Sequence, residues 1–167
     1  MTDPFLRSAT SADAAAIHDL ISAHLDEGHL LPRDLDDVGR HVNRFVVCDV
    51  AGTIKACAEL APLSAAVAEV RSLVVARDFR RVGLAARLVG EMTTRARAAG
   101  FETLTAFTND PRFFIRQNFS IVPHVWVPEK ITSTCLTYPL FRRCTQYAML
   151  LPLDAVRRYS PPAARVA

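Results

Sequence analysis

Two arginines, a glycine and a helix start meet at Arg80-Arg81-Val82-Gly83-Leu84-Ala85, a combination suited to holding an anion. The N–H groups of a helix's first turn have no partner within the helix, and the macrodipole is positive there. Phosphate oxygens therefore fit at Arg81 to Ala85. Further arginines at 77, 87, 112 and 116 cluster around this turn rather than forming a tail, which argues for a local acidic ligand. The lysine-ended phosphate loop and the GxGxxG fingerprint are both absent, so the turn gives no support to a nucleotide triphosphatase or a dehydrogenase.

Two elements must position that turn. Val67 to Val75, β-branched and apolar, reads as a strand that delivers it. Leu84, Leu88 and Met92 recur every fourth residue with Val89 beside them, and Gly100 follows, which predicts an amphipathic helix ending at a glycine C-cap. Upstream, Phe5 to Thr10 reads as a strand, Ser11-Ala-Asp caps a helix through about Asp26, and a second helix over Asp34 to Asn43 turns Leu35, Val38 and Val42 inward. Phe45 to Cys48 and Ile54 to Leu60 form an antiparallel hairpin about Gly52, with Cys48 and Cys57 as buried thiols. Downstream come a strand over Glu102 to Phe107, a short helix over Arg112 to Gln117 ended by a left-handed Asn118, and a strand over Ser120 to Val127 that Pro123 marks as an edge or a bulge. A last strand spans Tyr147 to Leu153, and residues 160–167 form a small-residue tail expected to fray.

The 167 residues, half of them apolar, fit one domain with a sizeable core. No apolar run reaches the roughly 18 residues needed to span a membrane, and the amino terminus carries no basic-then-apolar leader pattern. A cytoplasmic protein with neither membrane nor nucleic acid as partner is the expectation. Charge is modest, +3, and lysine occurs only at Lys55 and Lys130. His18, His24 and His29 are irregularly spaced, and four cysteines in a chain this long do not make a disulfide scaffold. No metal is expected.

The arginine-glycine turn is similar to the Arg/Gln-x-x-Gly-x-Gly/Ala pyrophosphate signature of the GNAT superfamily, the acetyl-coenzyme-A-dependent N-acetyltransferases. Ala68 to Val75 resembles that family's central strand, and Phe113-Phe114 with Asn118-Phe119 its aromatic pair followed by Gly-Phe. Two further segments, Glu27-Gly-His-Leu-Leu-Pro-Arg33 and Trp126 to Met149, resemble the short-form bacterial amino-acid N-acetyltransferases of the N-acetylglutamate synthase type. The resemblance covers about residues 5 to 153. It implies an α/β GNAT fold with a mixed central sheet of about six to seven strands and about four helices. It also implies acetyl-CoA as acetyl donor, a small-molecule amino-acid acceptor, and possibility of a homodimer. The implied reaction acetylates L-glutamate, the opening step of arginine biosynthesis.

Residue roles follow from the same resemblance. Arg33 falls at the family's substrate-carboxylate arginine, and arginine suits a carboxylate because it binds one bidentately. Arg71 and Lys130 are further cations for the substrate. Glu69 stands where many relatives keep a catalytic glutamate, acting through water or, alternatively, pairing with a neighbouring arginine as a structural salt bridge. An α-amino group with a pKa near 8 is only about a tenth deprotonated at neutral pH, so such a base helps. The backbone of Leu73, Val74 and Val75, at a strand bulge, would bind the acetyl carbonyl and the pantetheine. Arg80, Arg81, Val82, Gly83, Leu84 and Ala85 would bind the pyrophosphate, with Asn109 and Phe114 also on the cofactor side.

Two departures from the family stand out. Phe114 replaces the tyrosine that protonates the leaving thiolate in many relatives, so another group, water or an unassisted thiolate must serve. Cys135-x-x-Tyr138-Pro139 with Cys144 lacks one cysteine of the relatives' pattern, leaving a disulfide or two free thiols in place of a zinc site. The other readings are an acetyltransferase for a different amino acid, small amine or protein N-terminus, and a CoA-binding regulatory module that turns nothing over.

Overall fold

The computed structural model describes residues 4–133 and 145–154. Cys135, Tyr138, Cys144 and the 160–167 tail lie outside the described residues. Seven strands form one mixed sheet: β1 (Phe5–Ser8), β2 (Phe45–Val50), β3 (Thr53–Pro62), β4 (Val67–Val75), β5 (Thr103–Thr108), β6 (Ser120–Val122) and β7 (Tyr147–Pro152), ordered β1-β2-β3-β4-β5-β7-β6. The helices are α1 (Ala14–Ser22), α2 (Leu35–Arg40), α3 (Leu84–Ala98), α4 (Arg112–Arg116) and α5 (Pro128–Ser133). The α/β expectation holds. The chain divides into two compact units, Met1–Ala61 with Val70–Arg95 and Pro62–Glu69 with Ala96–Ala167.

In the first unit β1, β2 and β3 pair antiparallel, and Ile17 and Ile21 of α1, Val38 of α2, Phe45 and Val47 of β2, Cys57 of β3 and Val74 of β4 close one core cluster. Leu84, Leu88, Val89 and Met92 of α3 are all buried, as their spacing predicts. At about 1.5–3 kcal/mol for each fully buried large side chain, this stripe rather than intrinsic propensity holds α3 in place. The α1 segment departs from the single long helix expected. A 3-10 turn over Ser11–Asp13 precedes α1, which ends at Ser22. The buried His24 explains the end, because its Nδ1 donates to the Leu20 carbonyl at 2.7 Å while its backbone N–H turns to Ile21. His41 does the same to Asp37 at the end of α2, with Nδ1 3.1 Å from that carbonyl. These two histidines are helix terminators. Leu35 is 46% exposed rather than inward, since the six-residue α2 buries only Val38.

The second unit pairs Val67–Glu69 of β4 in parallel with β5, and β5 and β6 antiparallel with β7. Its core gathers Val122, Val127, Ala148 and Leu150. The strand expected over Ser120 to Val127 stops at Val122. Pro123 has no N–H to continue the ladder, and a 3-10 turn over His124–Trp126 leads into α5 instead. β6 is an edge strand, as a proline there requires. Asn118 is left-handed at φ 67°, with Phe119 N–H donating to the Phe114 carbonyl and Asn118 N–H to that of Ile115. That pattern is a Schellman stop, completed by the Phe114 and Phe119 rings at 5.2 Å.

The β2–β3 hairpin closes through Ala51-Gly52 with φ of 51° and 79°, so both turn residues are left-handed and alanine carries its Cβ into that region. Replacing Ala51 with asparagine, which tolerates positive φ, should raise stability by about 0.5–1 kcal/mol in denaturant unfolding, and Ala51→Val should lower it by at least that much.

Candidate active site

Inside β4 the chain breaks its pleat at Ser72, where φ is 48°. A non-glycine residue in the left-handed region within a strand costs about 1–3 kcal/mol, and such outliers cluster where structure serves function. Ser72 lies directly before Leu73, Val74 and Val75, in the strand where a bulge is expected. Ser72 is gripped at both polar ends. Its Oγ accepts from Arg33 Nη1 at 3.1 Å, and its carbonyl accepts from the Cys57 thiol at 3.5 Å. Burial pushes the Cys57 thiol up to about 12, so it keeps its proton and can donate.

Arg33 sits at the centre of this network. Nη1 also donates to Glu59 Oε2 at 2.6 Å, while Nε and Nη2 both meet Asp37 Oδ2, at 3.0 and 2.6 Å. Burial works against the guanidinium charge, but Glu59 and then Asp37 outweigh it and hold Arg33 above the ordinary arginine value. Burial likewise favours the neutral form of Asp37, and Arg33 overrides it, keeping that carboxyl below its usual range. Glu59 is fully buried, and its Oε1 has no hydrogen-bond partner among the described residues, with Arg44 Nη1 at 3.9 Å. Arg71 lies within β4, directly before Ser72, and is half-buried.

β4 then leads through a 3-10 turn, Arg77–Phe79, to the arginine-glycine turn. Arg81 and Gly83 are both left-handed, at φ 66° and 82°, and α3 opens at Leu84. A Cβ on Gly83 would meet no heavy atom within 4 Å, so the space before the helix start is open. Arg81, Val82 and Gly83 are exposed, Leu84 is buried and Ala85 half-buried. These features fit a pyrophosphate approaching the first helical turn. The Arg80 side chain does something else: its Nε donates to the Val75 carbonyl at 3.0 Å and Nη2 to Glu27 at 2.8 and 2.9 Å. Arg77 joins it, with Nε 2.8 Å from Glu27 Oε1 and Nη2 on Asp26. Arg80 first, then Arg77, lowers the Glu27 carboxyl to about 2.

In the second unit, Glu69 and Lys130 come together. Both are buried, and Lys130 Nζ donates to both Glu69 oxygens at 2.8 and 2.9 Å. The pair is structural, since a buried carboxylate without a cation costs several kcal/mol. The Phe107 ring lies 5.2 Å from Lys130 Nζ and 5.9 Å from the His124 ring. Phe114 is buried in an edge-to-face cluster with Phe113 and Phe119, and Asn109 is exposed, with its Oδ1 accepting from Thr145 Oγ1 at 3.4 Å. Among the described residues no group of His, Cys, Asp and Glu could hold a metal, and no helix is long and apolar enough to cross a membrane.

Sequence reasoning brought Arg33 forward but missed its partners. Glu59, Asp37 and Ser72 complete the network, and the one available signal was a glutamate in the apolar run Ala56-Cys57-Ala58-Glu59-Leu60, where burial demands a cation.

Residues 13–119 match the model of the acetyltransferase (GNAT) family. An N-acetyltransferase of Chlorobaculum tepidum is 29% identical over 151 residues, covering 90% of this chain and 97% of the relative. An amino-acid acetyltransferase of Ectopseudomonas mendocina is 32% identical over 113 residues, covering 67% of this chain and 26% of the relative, so the chain spans about a quarter of such proteins. Among solved structures, an N-acetylglutamate synthase of Neisseria gonorrhoeae complexed with coenzyme A and N-acetyl-glutamate superposes with a TM-score of 0.77 at 20% identity, over 92% of this chain and 36% of that one. A Mycobacterium tuberculosis protein in complex with CoA gives 0.74 at 22% identity, over 90% and 100%. The latter two are likenesses of fold. The family match, in contrast, runs through the bulged strand, the arginine-glycine turn and the helix it opens, and on that footing the chain belongs to the acetyltransferase (GNAT) family and is an N-acetyltransferase.

Proposed function

We propose that the chain moves the acetyl group of acetyl-CoA to the α-amino group of L-glutamate, releasing CoA and N-acetylglutamate, in the cytoplasm and as the first step of arginine biosynthesis. The observation that carries this reading is the left-handed Ser72 in β4, with Arg33 held on its hydroxyl and the open turn at Gly83 following. Its support for glutamate in particular comes from the amino-acid acetyltransferase relatives and the N-acetylglutamate synthase fold neighbour.

In this proposal the acetyl-CoA pyrophosphate lies against the N–H groups of Arg81 to Ala85, and the thioester carbonyl receives hydrogen bonds from the backbone at Leu73 to Val75. The acceptor carboxylate takes the Nε/Nη2 edge of Arg33 in exchange for Asp37, which shows how a carboxylate seats there by meeting both nitrogens. Arg71 adds positive charge for the acceptor, whereas Lys130 spends its charge on Glu69. Glu69, its charge balanced by Lys130, takes the ammonium proton through a water. The freed amine attacks the thioester carbon, the oxyanion forms on the β4 N–H groups, and the carbon–sulfur bond breaks while the nitrogen gives its second proton to solvent. Phe114 has no proton to give, so the thiolate, whose thiol pKa is near 8.5, leaves as the anion and is protonated from solvent. One feature favours a second reading: Glu59 and Asp37 already balance Arg33, which suits an acceptor with one carboxylate or none.

Mass-spectrometric detection of acetylated product from acetyl-CoA and a panel of free amino acids separates the two. Glutamate should be acetylated well above aspartate, glutamine and leucine; acetyl-CoA binding with no product from any of them would move the acceptor outside free amino acids. Arg33→Lys keeps the charge but loses the fork, and should lower kcat/KM for the acceptor about 10–100-fold while leaving acetyl-CoA affinity unchanged by titration calorimetry. Glu69→Gln should lower kcat about 100-fold or more with little change in acceptor KM; an unchanged kcat would remove Glu69 from the chemistry.

A further inference from the structure

A charged residue in the middle of a buried strand needs a reason. Glu59 of β3 is fully buried, and its carboxylate is held by one strong contact, Arg33 Nη1 at 2.6 Å, while Oε1 lacks a hydrogen bond among the described residues. Stability alone does not favour such a group, because a well-packed apolar residue in place of a buried ion pair is often neutral or better. What Glu59 does through Arg33 is more specific. The same nitrogen, Nη1, that meets Glu59 also donates to Ser72 Oγ at 3.1 Å. Two residues earlier on β3, and therefore on the same face, Cys57 donates its thiol to the Ser72 carbonyl at 3.5 Å. β3 thus grips the left-handed Ser72 twice, directly at its carbonyl and through Arg33 at its hydroxyl.

We propose that Glu59 is a positioning residue that, through Arg33, clamps Ser72 in its left-handed conformation and so fixes the direction of the Leu73, Val74 and Val75 N–H groups. The clamp also fixes the guanidinium itself. With Nη1 anchored between Glu59 and Ser72, the Nε/Nη2 edge is the one left facing Asp37, the more exposed partner at 33% against 1% for Glu59. One side chain thereby links the acceptor's carboxylate subsite to the backbone donors for the thioester. The catalytic importance of that link rests on the proposed reaction, but the clamp does not.

The test is residue-resolved amide exchange of the full chain, wild type against Glu59→Gln, with acceptor and acetyl-CoA kinetics measured in parallel. The expected result is exchange at Leu73 to Val75 faster by about tenfold or more, with Phe45 to Cys48 of β2 unchanged. It should be accompanied by a fall of about tenfold or more in kcat and unchanged acetyl-CoA affinity. A folded Glu59→Gln protein with unchanged exchange at Leu73 to Val75 overturns the clamp, and so does acceleration spread evenly over β2, β3 and β4, which would mark an ordinary core role. Should Glu59→Gln fail to fold, Ser72→Ala, which removes only the Arg33 contact, must give the same local acceleration, and an unchanged pattern there overturns the clamp equally. A wild-type protein that acetylates no amino acid sinks the proposed reaction, while the exchange pattern still decides the clamp.

Discussion

A serine with φ of 48° inside a strand is the constraint on which the first unit depends. Left to itself, Ser72 would relax toward the extended conformation of its neighbours, since the left-handed one costs about 1–3 kcal/mol. It is held by two neighbours, Cys57 of β3 and Arg33 of the segment before α2. The Cys57 thiol contributes a weak hydrogen bond, and the Arg33 guanidinium contributes a charge-assisted one whose geometry is set by Glu59. Removing any one of these leaves polar groups buried without partners, a cost of about 1–3 kcal/mol for a neutral group and more for a charged one. The bulge is therefore over-determined, as a strained conformation must be if it is to persist.

Charge placement follows a different rule at each level of burial. In the second unit the Glu69–Lys130 pair is enclosed, so its contribution is the avoidance of a lone buried charge more than a net attraction. The same holds for Arg33 and Glu59 in the first unit. At the rim of the arginine-glycine turn the arginines are exposed, and Arg77 and Arg80 hold Glu27 by contacts that salt screens. The open part of the turn is Arg81, Val82 and Gly83, all exposed, with a left-handed φ at Arg81 and Gly83. Of the two arginines of the turn, Arg80 braces the loop through its side chain.

The parts legible in the sequence were those set by local chemistry. β4 and α3 follow from β-branched runs and a four-residue repeat, and the glycine and asparagine stops follow from residues that tolerate positive φ. The shortened α1 was not legible, because His24 ends it by turning its imidazole onto the Leu20 carbonyl, a choice made by its burial and not by its helix propensity. Leu35 was misplaced because a periodic pattern says nothing of how few turns the helix will complete. Pro123 was correctly read as an interruption, yet the chain's turn into α5 depended on Val127 finding the core. The Arg33 network is the least legible of all. Its members come from α2, the segment before it, β3 and β4, and no spacing in the sequence brings them together.

One segment connects the two ends of the proposed site within the first unit. Glu27 and Arg33 belong to the same loop, which turns at Gly28 with φ of 74°. Glu27 fastens that loop to Arg77 and Arg80 after β4, and Arg33 fastens it to Ser72 within β4. Between them Leu30 packs on the core cluster. The two attachments differ in kind. The Arg33 attachment is buried and insensitive to salt, whereas the Glu27 attachment is at the surface and rests on charge. Because the Glu27 carboxyl is lowered to about 2 from an ordinary 4.5, its tether is fully present above the ordinary value and is lost only as pH falls through the lowered one. At neutral pH, ionic strength rather than acidity is therefore the variable that loosens this end.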